Sequence, residues 1–321
     1  MQGTPRDRML ALLWKSRESL VPTDFLQSRV ELEGSWEGPV DAVLDALRDD
    51  GLVANSGGWQ LAPAGLEPAR IAFKAVMRSG FDDALLVLED SKAFRKYCER
   101  AYGWGRFSFN MVDRGQRDAL VEVCGLGPGK RFVDLGCATG TMTAWLAEVT
   151  GADGMGVDFA PQCIARASER YPNVRFEVQD LDDAELPPRA FDVAVAIDTL
   201  YFPERLDDVI RAVFAALREG GALVALYSTT ADAGVLAADV PFEETKLGRV
   251  LAEQGRAVEL WEVTDSEQAV WRRARAAVDA LRTDFEDEGN AALWARRDAE
   301  ASGQLALIEA GRKRRWIVRA R

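Results

Sequence analysis

The 321-residue sequence predicts an α/β protein: a seven-stranded, mostly parallel sheet with helices on both faces, preceded by a small helical domain and interrupted by a helical insertion before its last strand. Three observations carry this reading. From residue 117 onward, short apolar runs alternate with helical patterns, as repeated strand–helix units require. The first of these runs ends in an acid and a glycine-bearing turn, Asp134-Leu135-Gly136-Cys137-Ala138-Thr139-Gly140, after which a helix starts. The first 65 residues follow another pattern, three short helices and a hairpin. At ~100–200 residues per domain, the length suits two domains.

In chain order, residues 6–16 and 23–31 predict two helices, with Thr23 or Asp24 placed to cap the second. A third starts near Pro39, a good first-turn residue, and aligns Val40, Val43, Leu44 and Leu47 on one face. It stops at Gly51. Leu52-Val53-Ala54, the turn Asn55-Ser56-Gly57-Gly58 and Trp59-Gln60-Leu61 read as a short hairpin. Three helices and a hairpin make residues 1–65 resemble a winged helix. That architecture suggests DNA, but the third helix carries Asp41, Asp45, Asp49 and Asp50 against Arg48 alone. Such a face meets phosphate with the wrong sign. Protein contact is expected instead, as a homodimer or as one wall of the active site.

Residues 66–110 are read as a helical linker, amphipathic over 66–100, followed by an aromatic lid. Tyr102, Trp104, Phe107 and Phe109 fall within eight residues, together with Gly103 and Gly105. They suit a pocket wall able to hold a cation by attraction to ring faces; packing between domains is the alternative. The main domain then occupies 111–321. Its strands are expected at Arg131–Leu135, Gly154–Asp158, Val174–Val178, Phe191–Ile197, Ala222–Tyr227, Val258–Val263 and Arg315–Val318. A helical insertion over about 265–311, containing Trp271, Phe285 and Trp294, is expected to cap the active site.

Composition narrows the function classes. The chain is 48% hydrophobic and 29% charged, ordinary for a protein with a real core. No apolar run approaches the ~20 residues of a membrane-spanning helix. Met9–Trp14 is too short for a signal-peptide core, so a cytoplasmic location without membrane contact is expected. A net charge of -12 disfavours nucleic acid as a partner. The basic run Arg312-Lys313-Arg314-Arg315 is read as the start of the final strand. Four cysteines without a C-x-x-C spacing, and no histidine, give no expected metal site.

The chemistry centres on the turn after Asp134. Glycine allows a tight turn and close backbone approach to a ligand, and the following helix offers free N–H groups. A second strand ends in an acid at Asp158, where a Rossmann-type sheet meets a ribose. A third ends in Gln179-Asp180-Leu181. The fingerprint G-x-G-x-x-G of dinucleotide enzymes is absent, since 136–141 reads Gly-Cys-Ala-Thr-Gly-Thr. Phe191-Asp192-Val193 and Leu217-Arg218-Glu219-Gly220-Gly221-Ala222 complete an ordered set. With it, residues 131–230 resemble the class I, Rossmann-like S-adenosylmethionine-dependent methyltransferases, with Ala138 standing where a glycine is often found.

The resemblance implies S-adenosylmethionine as cofactor. It implies that Asp134 and the turn Gly136, Cys137, Ala138 and Gly140 face the methionine end and ribose, and that Asp158, followed by Phe159, binds the ribose hydroxyls. Gln179, Asp180 and Leu181 would meet the adenine, with Ile197 completing the cofactor set. Ligands of such sheets bind outside the carboxyl ends of the strands. Asp198, Tyr201 and Tyr227 are therefore the candidates to face substrate. With no histidine, any general base must be Asp, Glu, Tyr or Lys. The expected function is methyl transfer to the oxygen, nitrogen or carbon of a small-molecule acceptor in secondary-metabolite biosynthesis. The alternatives are a protein or RNA acceptor, and a winged-helix regulator whose Rossmann domain senses a ligand.

Overall fold

A computed structural model describes residues 4–17, 19–33 and 38–321. The chain divides into two compact units, Met1–Ala84 and Leu85–Arg321.

In the first unit, α1 (Pro5–Lys15) opens with a capping box: Thr4 Oγ1 accepts from the Asp7 N–H, and the Asp7 carboxylate accepts from the Thr4 N–H. Helices α2 (Thr23–Glu33) and α3 (Val40–Asp49) follow, then β1 (Val53–Asn55) and β2 (Trp59–Leu61), paired antiparallel. Val21, between α1 and α2, adds an antiparallel bridge to Trp59. Helix α2 begins at Thr23 itself, so Thr23 is not a cap residue; its hydroxyl accepts a hydrogen bond from the Trp59 indole at 3.1 Å. Met9, Leu13, Leu26, Leu44, Leu47 and Trp59 form the core. Helix α4 (Leu66–Asp90) comes next, and the division between the units falls inside it.

The second unit starts with the end of α4. The helical stretch expected over 66–100 is broken at Ser91, whose Oγ accepts from the Phe94 N–H at 3.0 Å and caps α5 (Lys92–Tyr102). Then come α6 (Arg114–Cys124), β3 (Arg131–Leu135), α7 (Thr141–Thr150), β4 (Asp153–Asp158), α8 (Pro161–Arg170) and β5 (Arg175–Val178). The chain continues through β6 (Phe191–Ile197), α9 (Leu206–Ala216), β7 (Leu217–Thr230), α10 (Lys246–Glu253) and β8 (Val258–Glu262). Three helices make up the insertion, α11 (Thr264–Ala280), α12 (Arg282–Asp287) and α13 (Ala291–Glu309), before β9 (Lys313–Ala320) closes the sheet.

The strand order is β5-β4-β3-β6-β7-β9-β8. The first five are parallel, and β9 runs antiparallel to both of its neighbours. Each face is dry. One buries Leu206, Ile210, Leu247 and Leu251 of α9 and α10; the other buries Leu120, Met142 and Leu146 of α6 and α7. The connections reverse direction between β3 and β6, so their carboxyl ends diverge into the crevice where open α/β sheets bind ligands. Among the described residues, no helix is long and apolar enough to cross a membrane.

Candidate active site

The turn after β3 is hung from β4. The N–H groups of Gly136 and Cys137 both donate to the Val157 carbonyl, at 2.8 and 3.0 Å. Gly136 and Gly140 sit at φ 79° and 76°, and Ala138 shares the left-handed region at φ 49°. A β-carbon on Gly136 would collide with Thr199, and one on Gly140 with the Phe176 ring. These glycines are thus required by packing as well as by the turn. The Asp158 carboxylate accepts from the Ala138 N–H at 2.9 Å and from the Ala160 N–H at 3.0 Å. It thereby fixes the middle of the turn.

Asp134 lies under this turn, 4% exposed, and accepts from Thr143 Oγ1 of α7 at 2.6 Å. Burial pushes its carboxyl up to about 6; the Thr143 bond opposes the shift and the Asp158 charge adds to it. Gly140 lends α7 no side-chain cap, so the amino end of that helix faces the turn with its backbone alone.

At the end of β5, the Gln179 N–H donates to the Asp158 carbonyl at 2.9 Å. Its side-chain oxygen accepts from the Glu185 N–H at 3.1 Å. Asp180 Oδ1 accepts from the Asp182 N–H at 3.1 Å and caps a short turn over Leu181–Asp183. Leu181 packs against the sheet core. Phe159 follows Asp158 and is half-buried. Ile197 is buried at the end of β6, and its carbonyl accepts from the Asn110 amide at 2.8 Å. The residues expected at the cofactor thus gather at the carboxyl ends of four adjacent strands.

Beyond β6, Asp198 also takes a left-handed backbone, at φ 55°. Both of its oxygens accept from Arg315 of β9, at 2.6 and 2.9 Å. Arg315 is 1% exposed and also donates to Gln116 and Ser228. Burial works against its charge, but Asp198 outweighs it and holds the guanidinium above its ordinary pKa. The Tyr201 hydroxyl donates to Asp198 at 3.2 Å and accepts from the Ser228 N–H at 2.6 Å. Its pKa is raised by burial and then by the Asp198 charge. Tyr227 turns into the core, its ring centroid 4.9 Å from Tyr201 and 6.4 Å from Phe242. Asp198 and Tyr201 therefore come together in one polar network, whereas Tyr227 is packed.

The basic run before the last strand does begin β9, and its alternation sends Arg315 inward to this network. Sequence reasoning missed that role, and it missed Glu267. On the first turn of α11 and 2% exposed, Glu267 accepts from Ser228 Oγ at 3.1 Å and lies 3.5 Å from the Lys313 ammonium. Its Oε2 has no hydrogen-bond partner among the described residues. No spacing in the sequence links residue 267 to 228 and 315; only the fold does.

The four aromatics are not brought into one wall. Tyr102 is wholly buried and meets Tyr97 edge-on, while Phe107 packs on Phe94. Trp104 lies against Trp145, with the Arg117 guanidinium 4.6 Å from its ring. Phe109 sits under Arg297 at 5.2 Å. Gly103 ends α5 at φ 63° and turns the segment, so successive rings meet different elements.

Residues 132–221 match the family model described as a methyltransferase domain. Phosphoethanolamine N-methyltransferase 1 of Arabidopsis thaliana is 30% identical over 127 residues, which cover 38% of this chain and 26% of that protein. Magnesium-protoporphyrin O-methyltransferase of Rhodobacter capsulatus is 42% identical over 79 residues, covering 23% and 34%. The chain spans about a quarter of the length of the first curated relatives it matches.

Among solved structures, phosphoethanolamine N-methyltransferase 2 of Haemonchus contortus, with phosphomonomethylethanolamine and S-adenosylhomocysteine, superposes with a TM-score of 0.61 at 18% identity, over 75% of this chain and 59% of that one. The [4+2]-cyclase SpnF superposes at 0.54 with 20% identity, over 68% and 84%. A cyclase on the same frame means that the fold alone does not fix the reaction. Residues 132–221 thus match a methyltransferase domain, and they lie on the Rossmann-like fold that these neighbours share.

Proposed function

We propose that this chain transfers a methyl group from S-adenosylmethionine to a small-molecule acceptor in the biosynthesis of a secondary metabolite. The observation that carries the reading is the 2.9 Å bond from the Ala138 N–H to Asp158, which joins the turn after β3 to the acid ending β4 at the reversal of strand order. The donor set suits the cofactor. Carboxylates end or follow two successive strands, ready for ribose hydroxyls at Asp158 and an adenine amino group at Asp180. An uncapped helix terminus and a turn with three left-handed residues leave backbone N–H groups near the same place.

When bound, S-adenosylmethionine supplies an electrophilic methyl group on a sulfonium. The protein has to align the acceptor and exclude water. On the acceptor side, Arg315 holds Asp198 in a fixed orientation through both oxygens, and Tyr201 braces the same carboxylate. An acceptor whose nucleophile holds a proton that it does not lose easily needs a base. Asp198 is spent on the guanidinium, so Glu267, whose Oε2 lacks a hydrogen-bond partner among the described residues, is the candidate base of the two.

The small-molecule reading draws support from relatives named for phosphoethanolamine and magnesium-protoporphyrin. For the first unit, the order α1, a bridging residue, α2, α3, β1, β2 supports a winged-helix-like domain, and the acidic α3, with Arg48 paired to Asp45 at 2.9 Å, favours protein over DNA as its partner.

Calorimetric titration with S-adenosylmethionine and S-adenosylhomocysteine tests the proposal. Wild type should bind both at micromolar affinity, and Asp158→Ala should lose at least about tenfold, the loss expected for hydrogen bonds to a charged group. A folded wild type that binds neither would overturn it.

A further inference from the structure

Helix α4 ends against the usual electrostatic preference. Its last two residues are Glu89 and Asp90, and no basic residue lies in its last turn. The carboxyl end of a helix carries partial negative charge and favours cations, so two acids there are unfavourable unless something offsets them. Glu89 is also 2% exposed. A carboxylate buried at the wrong end of a helix breaks a local rule, and such violations concentrate where a site requires them.

The offset comes from α8. Arg170 pairs with Glu89 Oε1, and Arg166 reaches Glu89 Oε2 at 3.4 Å and Asp90 at 2.8 Å. The remaining partner belongs to the turn after β3. Thr139 Oγ1 donates to Glu89 Oε1 at 2.9 Å, and Thr139 is 1% exposed. Thr139 stands between Ala138 and Gly140, both in the left-handed region. It is therefore the side-chain anchor of the most strained part of the turn.

We propose that Glu89 is a positioning residue for the cofactor turn. Two arginines of α8 hold its carboxylate, which grips the Thr139 hydroxyl and keeps residues 136–140 in the conformation that receives S-adenosylmethionine. The inference rests on the reading of this turn as the cofactor site, and it adds a group from outside the methyltransferase segment 132–221.

A double-mutant cycle read by titration with S-adenosylhomocysteine tests it. Glu89→Ala and Thr139→Val should each weaken binding about tenfold, and the double variant no further, because both remove the same hydrogen bond to a charged group. Thr139→Ser keeps the hydroxyl and should bind as wild type does. Thr139→Val binding at full affinity, or losses that multiply in the double variant, would overturn the proposal.

Amide hydrogen exchange gives a second readout that needs no ligand. The Ala138 and Gly140 amides, bonded to Asp158 and to the Cys137 carbonyl, should exchange faster in Thr139→Val by more than the fall in global stability accounts for. Unchanged exchange would refute the anchoring. A wild type that binds no S-adenosylhomocysteine would refute the cofactor reading instead, and the exchange result would still decide the role of Glu89.

Discussion

Ala138 keeps a left-handed backbone at φ 49° in a turn whose other left-handed positions are glycines. An alanine there costs about 1–2 kcal/mol, and glycine gives back about 0.5–1 kcal/mol through its freer unfolded chain. Ala138→Gly should therefore raise stability by about 0.5 kcal/mol in urea unfolding. A clear loss would mean that the methyl group has packing worth more than the strain. Asp134 makes a second prediction. Burial raises its carboxyl from the ordinary 3.8 to about 6, so the folded protein holds that proton more tightly than the unfolded chain does. This contribution is present in full below about pH 4 and is lost as pH rises through 6, by an amount on the order of 3 kcal/mol. Unfolding measured at pH 4.5 and pH 7 should show a fall in wild type that is much smaller in Asp134→Asn; equal falls would place the titration elsewhere.

At the scale of elements, β9 brings the cation and the residue after β6 is the anion. Breaking a buried ion pair from one side leaves an uncompensated charge and costs about 3–5 kcal/mol. Arg315→Leu should destabilise the second unit by about that much in chemical denaturation. Adding Asp198→Asn, which tolerates the left-handed backbone, should recover part of the loss; a double variant as unstable as the sum of the singles would show that Arg315 acts through packing instead. This pair also marks where sequence reading stops. The seven strands were legible to within a few residues at most of their ends, because apolar runs bounded by turns are a local signal. That Arg315 meets Asp198, 117 positions earlier in the chain, is a fact of sheet order and left no local trace.

Over the whole molecule, the same division holds. The sheet, the turn after Asp134, Asp158 and Asp180 were readable because each is a short motif at a fixed place in a repeating unit. The grip of Glu89 on Thr139 was not, since an acid at a helix end looks like an ordinary solvated charge. The aromatic segment was misleading for a related reason. Density of rings along the chain says nothing about direction, and Gly103 sends Tyr102 and Trp104 to different neighbours.

The position of β9 bears on how the protein is made. It is the last strand in the chain, yet it lies between β7 and β8. On the ribosome, β8 emerges about 50 residues before β9, its neighbour in the sheet, a delay of roughly 3–10 s at ordinary elongation rates. Throughout that interval β7 and β8 carry unpaired backbone edges and Asp198 has no counter-charge. The nascent chain is therefore most exposed to mispairing while α11–α13 are being synthesised, and a chaperone that recognises open strand edges would find its target in that window.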